Sequence, residues 1–258
     1  MKIALFSDIH ANLPALQALF QQLDHQRPDA VYCLGDLVGY NVWPNEVINA
    51  IRDRRIPTIK GNYDEGIGGG TDECGCAYKT DEERDMGKIS ISVTNARVQP
   101  EERAYLAALP AHIRVEFRSG EESISLLLVH GSPRRINEYL FEDREEKSLL
   151  RILKDARADI LCFGHTHKPW HRVLPDETTS GTSRYLHAIN TGSVGKPKDG
   201  DPRGCFVLLH LDGQSTLSDP GSVRVEFIRF GYDVEAAAKA VEESPLPDAY
   251  ADMLRKGK

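Results

Sequence analysis

Seven side chains of this 258-residue chain have the types and spacing of metal ligands: Asp8, His10, Asp36, Asn62, His130, His165 and His167. They stand in Asp8-Ile9-His10, Gly35-Asp36, Gly61-Asn62, His130-Gly131 and Gly164-His165-Thr166-His167. Carboxylate, amide and imidazole donors suit Mn2+, Fe2+, Zn2+ or Ni2+, with no thiolate needed. One divalent ion rarely requires seven oxygen and nitrogen side chains, whereas two ions sharing a bridging carboxylate would use them all. Asp8 and His10 lie two apart, as do His165 and His167, so an extended chain would send each pair to one face. The competing reading is that these polar residues cap strands and loops. A scaffold without a site has no use for paired imidazoles at i and i+2, so the set points to a two-metal hydrolytic centre.

Nearly all of these residues follow an apolar run that reads as a buried strand. Residues 2–7, 30–34 and 57–60 are strand-like, and residues 15–25 and 44–54 between them have helical apolar spacing. This β-α-β-α-β series predicts a parallel sheet with crossover helices, its ligands just past the strands. The Gly-rich stretch 65–80 breaks the rhythm, and a polar helical region follows to Leu109, split near Pro100. Residues 64–110 therefore read as an excursion over the site, within a single domain spanning 1–258. Beyond it, 113–117 and 123–129 flank a hairpin signal at Arg118-Ser119-Gly120-Glu121. A helix at 147–156, strands at 160–163, 170–174, 185–189, 205–211 and 223–230, and a helix at 233–243 complete the expectation. The tail, 245–258, reads as loose or surface-packed.

Composition narrows the function classes. At 40% apolar and 28% charged the chain is ordinary globular material, and no run of roughly eighteen apolar residues is present to span a membrane. A net charge of −7 gives no basic stripe for a nucleic-acid backbone, which argues against a nuclease. It leaves room for a small phosphorylated substrate, because bound divalent cations dominate a local field. The opening Met1 to Asp8 has too short an apolar part for an export signal, so a cytoplasmic location with five reduced cysteines is expected.

Ser7-Asp8-Ile9-His10-Ala11-Asn12, Gly35-Asp36-Leu37-Val38-Gly39-Tyr40, Gly61-Asn62-Tyr63-Asp64, His130-Gly131 and Gly164-His165-Thr166-His167 resemble the five ordered motifs of the calcineurin-like metallophosphoesterases. Their spacing, with Asn190-Thr191-Gly192-Ser193-Val194-Gly195, is similar to the compact bacterial and archaeal branch, and the resemblance covers residues 2 to 230. It implies an α/β fold, a four-layer α/β/β/α sandwich, with two divalent ions at the strand ends. Asp8, His10, Asp36 and His167 would hold the first ion, and Asp36, Asn62, His130 and His165 the second, with Asp36 bridging. The implied reaction is in-line attack of a metal-bridging hydroxide on a small phosphodiester or phosphomonoester.

The family commonly has histidine after the asparagine, as proton donor to the leaving oxygen. Here the residue is Tyr63, and a phenol with a pKa of roughly 10 is a poorer donor at neutral pH. Slow turnover on poor leaving groups is expected, and a catalytically weak metal-binding scaffold of the same fold is the alternative. Asp64 would orient a ligand or Tyr63 from behind, or serve as an ordinary turn acid. Asn12 would contact a phosphate oxygen or cap a helix near Pro14, and Arg134 would meet the substrate or stay solvated. Cys74-Gly75-Cys76 reads as a loop pair before a soft-metal site. His171 and His187 belong to core or surface packing. The 64–110 excursion would shape the pocket or a homo-oligomer contact.

Overall fold

Along each central strand, alternate side chains enter two different cores. Ile3 and Leu5 of β1 (Lys2–Phe6) face one cluster while Ala4 and Phe6 face another. The same division separates Val207 and Leu209 from Phe206 and Leu208 in β8 (Gly204–His210). In β4 (Glu122–Leu128) it separates Ile124, Leu126 and Leu128 from Leu127. Period-two alternation with both faces apolar forces each sheet to be covered on both sides.

The computed structural model describes residues 1–120, 122–177 and 184–258. Glu121, in the expected hairpin turn, lies outside them. Among these residues one sheet has the order β2 (Ala30–Cys33), β1, β8, β9 (Arg224–Phe230). The other has the order β3 (Ile113–Ser119), β4, β5 (Ile160–Phe163), β7 (Arg184–Asn190), β6 (Trp170–Asp176). The sheets share the apolar layer formed by Ile3, Leu5, Leu126, Ile160, Cys162 and Val207. Outside the first sheet lie α1 (Leu13–Gln26), α2 (Pro44–Asp53), α7 (Val234–Glu242) and α8 (Ala249–Lys256). Outside the second lies α6 (Glu146–Asp155), through Leu149, Ile152 and Leu153. This is the expected four-layer α/β/β/α arrangement.

Local signals explain the helix starts. Asn12 caps α1, its side chain accepting from the Ala15 amide with Pro14 in the first turn, and Pro44 opens α2. The expected excursion is helical: α3 (Asn62–Gly68), α4 (Asp81–Arg97) and α5 (Pro100–Ala108), with the predicted break at Pro100.

Two expectations need correction. Residues 57–60 form no full strand: Thr58 makes an isolated parallel bridge to Cys33, after which Lys60 donates its amide to Pro110 and the chain turns into α3. The tail is not loose. It forms α8, whose Tyr250, Ala251 and Leu254 are buried against the helical layer, because these residues recur at helical spacing once Asp248 has started the turn.

Candidate metal centre

The ligand residues follow the carboxyl ends of β1 and β2 in one sheet and of β4 and β5 in the other, with Asn62 at the start of α3. β1 pairs with β2, and β4 with β5, in parallel, so their ends open on the same side. Gly164 donates to the His130 carbonyl within the second sheet, and the His165 amide joins the two sheets by donating to Asp8 Oδ2 at 3.1 Å.

The extended-chain argument for the paired ligands fails in its geometry. Asp8, His10, Asp36, His165 and His167 all have positive φ, between 49° and 66°. Left-handed backbone is disfavoured for residues bearing a Cβ, and its concentration at one place marks strain held by the surrounding fold. The ligands leave tight turns beyond the strands. Those turns aim them at a common point that strand alternation alone would not reach.

Two groups result: Asp8, His10 and His167, and Asp36, His130 and His165, all buried, with the ligand atoms of each group within 4.8 Å of one another. Asn62 joins the second group, its Oδ1 lying 3.1 Å from His130 Nε2. Asp36 Oδ2 lies 3.3 Å from His130 Nε2 and 3.6 Å from His10 Nε2, so it stands between the groups as a bridge must. Its Oδ1 is engaged elsewhere, accepting from the Tyr63 amide at 2.9 Å.

Hydrogen bonds fix which imidazole nitrogen faces inward. The Nδ1 groups of His10, His130 and His167 donate to the carbonyls of Val38, Leu34 and Lys196, at 2.9, 2.8 and 2.6 Å. Each Nε2 is thereby left toward the centre. His10 Nε2 and His167 Nε2 then face one another at 3.2 Å. Two lone pairs at that distance repel unless a cation lies between them. Ligands on one ion with bonds of about 2.1 Å are themselves about 3.0–3.4 Å apart, so the spacing fits. Asp8 Oδ1 and His165 Nε2 are buried without a hydrogen-bond partner, as unfilled ligand atoms would be.

The electrostatics agree. Burial pushes His10 and His165 down to about 3 and His167 down as well, so these rings are neutral donors. Burial also opposes charge on His130, but the charge and hydrogen bond of Asp36, with Asp8 behind, outweigh it and push His130 up to about 10. Asp36 is held well below the usual carboxylate range: burial works against this, and His130 followed by His10 overcomes it. Burial, reinforced by Asp36 against the pull of His130, raises Asp8.

The profile of the calcineurin-like phosphoesterase superfamily domain matches residues 1–214. The chain belongs to that superfamily. It is 28% identical to an uncharacterised protein of Methanocaldococcus jannaschii, over 99% of this chain and 98% of that one. It is similar to the crystal structure of a metallophosphoesterase from Sphaerobacter thermophilus, with 27% identity, a TM-score of 0.72, and coverage of 100% and 99% of the two chains. A hypothetical protein from Pyrococcus horikoshii OT3 shares the fold, with 23% identity, a TM-score of 0.76, and coverage of 100% and 98%.

Around this candidate metal centre the remaining expected residues divide. Asp64 does not face the ligands: its two oxygens accept from the amides of Asp36, Leu37 and Gly61 at 2.7, 2.9 and 2.9 Å. It is a positioning residue that ties the Asp36 and Asn62 loops together. Burial and the charge of Asp36 raise its pKa to about 7 in spite of those donors. Tyr63 is 1% exposed, its ring edge-on to His10 at 5.4 Å between centroids and its hydroxyl without a partner. Burial raises its pKa well above 10, which keeps the phenol protonated.

Asn12 is a cap. Its Oδ1 accepts from Ala15 and its Nδ2 donates to the Gly195 carbonyl at 2.8 Å and to the Tyr232 hydroxyl at 3.3 Å, which leaves the amide no free donor for a phosphate. Arg134 borders a groove of about 590 Å³ with Cys76, Arg135 and Tyr139, but its guanidinium is paired with Glu138. His171 and His187 stack on one another, with Nε2 and Nδ1 3.0 Å apart, in the packing role expected of them.

Three features had no clear signal in the sequence. Tyr139 tilts over His165 with centroids 4.0 Å apart. The 74–76 loop folds onto Asn62, whose Nδ2 donates to the Cys74 carbonyl at 2.7 Å and to Cys76 Sγ at 3.4 Å, and both thiols are free. Lys196 and Lys198 directly follow the Asn190–Gly195 motif, and that adjacency is the one sequence hint that they border the site.

Proposed function

We propose that this chain is a dinuclear metal-dependent phosphoesterase that hydrolyses a small phosphodiester or phosphomonoester. The observation carrying this reading is the pair of inward Nε2 atoms at 3.2 Å, with Asp36 Oδ2 standing between the two ligand groups. Asp8, His10, Asp36 and His167 would hold one ion, and Asp36, Asn62, His130 and His165 the other. Two such ions supply, when bound, activation of water and neutralisation of charge on the phosphoryl oxygens. Manganese is the working assignment among divalent ions that accept this oxygen and nitrogen donor set.

The chain's own residues do the rest. The Val38, Leu34 and Lys196 carbonyls lock three imidazoles in one tautomer, so the ligands need no rearrangement. Asp64 holds the bridging loop, and the Tyr63 amide orients the bridging carboxylate. The buried Tyr63 phenol, with no hydrogen-bond partner, favours a second reading in which the clamp is intact and turnover is weak.

The test is metal content, followed by Mn2+-dependent hydrolysis of bis-p-nitrophenyl phosphate, with Asp36→Ala and His130→Ala as controls. Bound metal with hydrolysis abolished in both variants is the expected result. Absence of metal would sink the ligand assignments and the phosphoesterase reading together. Bound metal without hydrolysis would leave the scaffold reading.

A further inference from the structure

Beside the metal ligands stands a wall of polar groups that the reaction above does not use. Tyr40 is its centre: its ring lies 4.8 Å from that of His10, 4.8 Å from that of Tyr63 and 5.2 Å from that of Tyr250. Lys196 Nζ lies 4.8 Å from the Tyr40 centroid and Lys198 Nζ 6.0 Å. The Tyr40 hydroxyl reaches Cys76 Sγ at 3.9 Å, and Cys76 in turn contacts the ligand Asn62.

Lys196 is only 4% exposed and, among the described residues, neither lysine has a carboxylate within ion-pair distance. The Lys196 ammonium has Met253 Sδ at 3.6 Å and two aromatic faces. Burial lowers the pKa of Lys198, and Cys76, the ligand carboxylates Asp8 and Asp36 and, more weakly, Glu83 oppose this from beyond ion-pair distance; Glu83 itself accepts from the Lys79 amide. The hydroxyls of Tyr63 and Tyr78 are buried beside one another, and neither has a hydrogen bond of good geometry. Every polar head here can donate a hydrogen bond. Burial disfavours charge on both lysines, on Lys196 most, and neither head has a carboxylate to offset it, so an anion beside them would supply the missing partner. A site built this way is complementary to a negative group. Lys198 and Cys76 are partly exposed and form its open side, while Lys196, Tyr63 and the buried Tyr78 hydroxyl form its back.

We propose that Lys198 and Tyr78, backed by Lys196, form an anion subsite that selects substrates carrying a second phosphate next to the one hydrolysed. This rests on the phosphoesterase reading for the position of the first phosphate. The subsite explains why the lysines follow the glycine motif so closely. Lys198 donates its amide to the His167 carbonyl, and the Lys196 carbonyl receives His167 Nδ1, so one short segment holds both the ligand and the subsite in place.

The test compares methyl phosphate with methyl diphosphate as competitive inhibitors of bis-p-nitrophenyl phosphate hydrolysis by the Mn2+-loaded protein. It is joined by direct calorimetric titration of both probes into the metal-free protein. The wild type should prefer the diphosphate by at least about tenfold, the worth of one charge-assisted contact. Lys198→Met should remove most of that preference and Tyr78→Phe part of it, while Lys198→Arg should keep it. The ratio of the two inhibition constants is the readout, since a packing defect would weaken both probes alike. A wild type without preference, or a preference that survives both Lys198→Met and Tyr78→Phe, overturns the subsite and leaves the lysines as packing groups. The metal-free titration separates the two readings: there the preference persists even if the protein hydrolyses nothing.

Discussion

Gly61→Ala isolates the placement of the bridging carboxylate from its chemistry. Gly61 has φ −92° and ψ 178°, which alanine adopts without strain, so any effect comes from the added methyl group. That Cβ would lie 2.0 Å from Asp36 Oδ1 and 2.4 Å from the Asp36 amide nitrogen, where real Cβ atoms keep at least 3.0 Å. Relief therefore requires a displacement of about 1 Å (3.0 − 2.0) at the residue shared by both ion sites. The backbone cannot simply retreat, because Asp64 Oδ2 accepts from the amides of both Gly61 and Asp36.

A misplacement of about 1 Å costs on the order of a hundredfold in rate, or about 2.7 kcal/mol of transition-state stabilisation. The assay is metal content by mass spectrometry together with kcat/KM on bis-p-nitrophenyl phosphate. Gly213→Ala serves as control, since a Cβ there meets nothing within 4 Å. If Gly61→Ala retains its metal and stays within about threefold of wild-type kcat/KM, the bridging role of Asp36 is refuted.

Three further outcomes follow from the same geometry. His130 is pushed up to about 10 in the metal-free site, so it carries a proton at neutral pH that an incoming ion must displace. Apparent metal affinity should then rise with pH toward that value, by up to about tenfold per unit for one proton, and calorimetry in buffers of different ionisation enthalpy should show proton release. Release of no proton at pH 7 would contradict it. Tyr63→His should raise turnover on an alkyl phosphodiester by about tenfold or more while changing activated aryl esters little, since general acids contribute most with poor leaving groups. Equal activity of the two proteins on the alkyl ester would remove the proton-donor argument. Leu254→Ala, at a position 2% exposed in α8, should lower unfolding free energy by about 2–4 kcal/mol in a urea titration, whereas a loose tail would give no change.

Much of the fold was legible because its signals are local. Helical spacing in 15–25 and 44–54, the alternation in β3 and β4, and the break at Pro100 depend on neighbours within a turn or a strand. Residues 57–60 were misread because a β-rich run becomes a strand only if the chain stays straight, and here it turns at Asn62. The tail was left open between loose and packed because α8 rests on the neighbouring α7 and on Tyr40, and the latter is far away in sequence.

The sequence by itself determined the donor set, its order along the chain and the family, because residue type and motif spacing are properties of the chain alone. Only the tertiary structure decided how those donors meet. His10 and His167 are 157 residues apart, yet their Nε2 atoms face at 3.2 Å. Carbonyls from two other segments, 34–38 and Lys196, choose the histidine tautomers, and left-handed turns choose the ligands' directions. The lysine and tyrosine wall has the same origin. No periodicity announces it, because a cation becomes conspicuous only when folding has buried it and placed no carboxylate beside it.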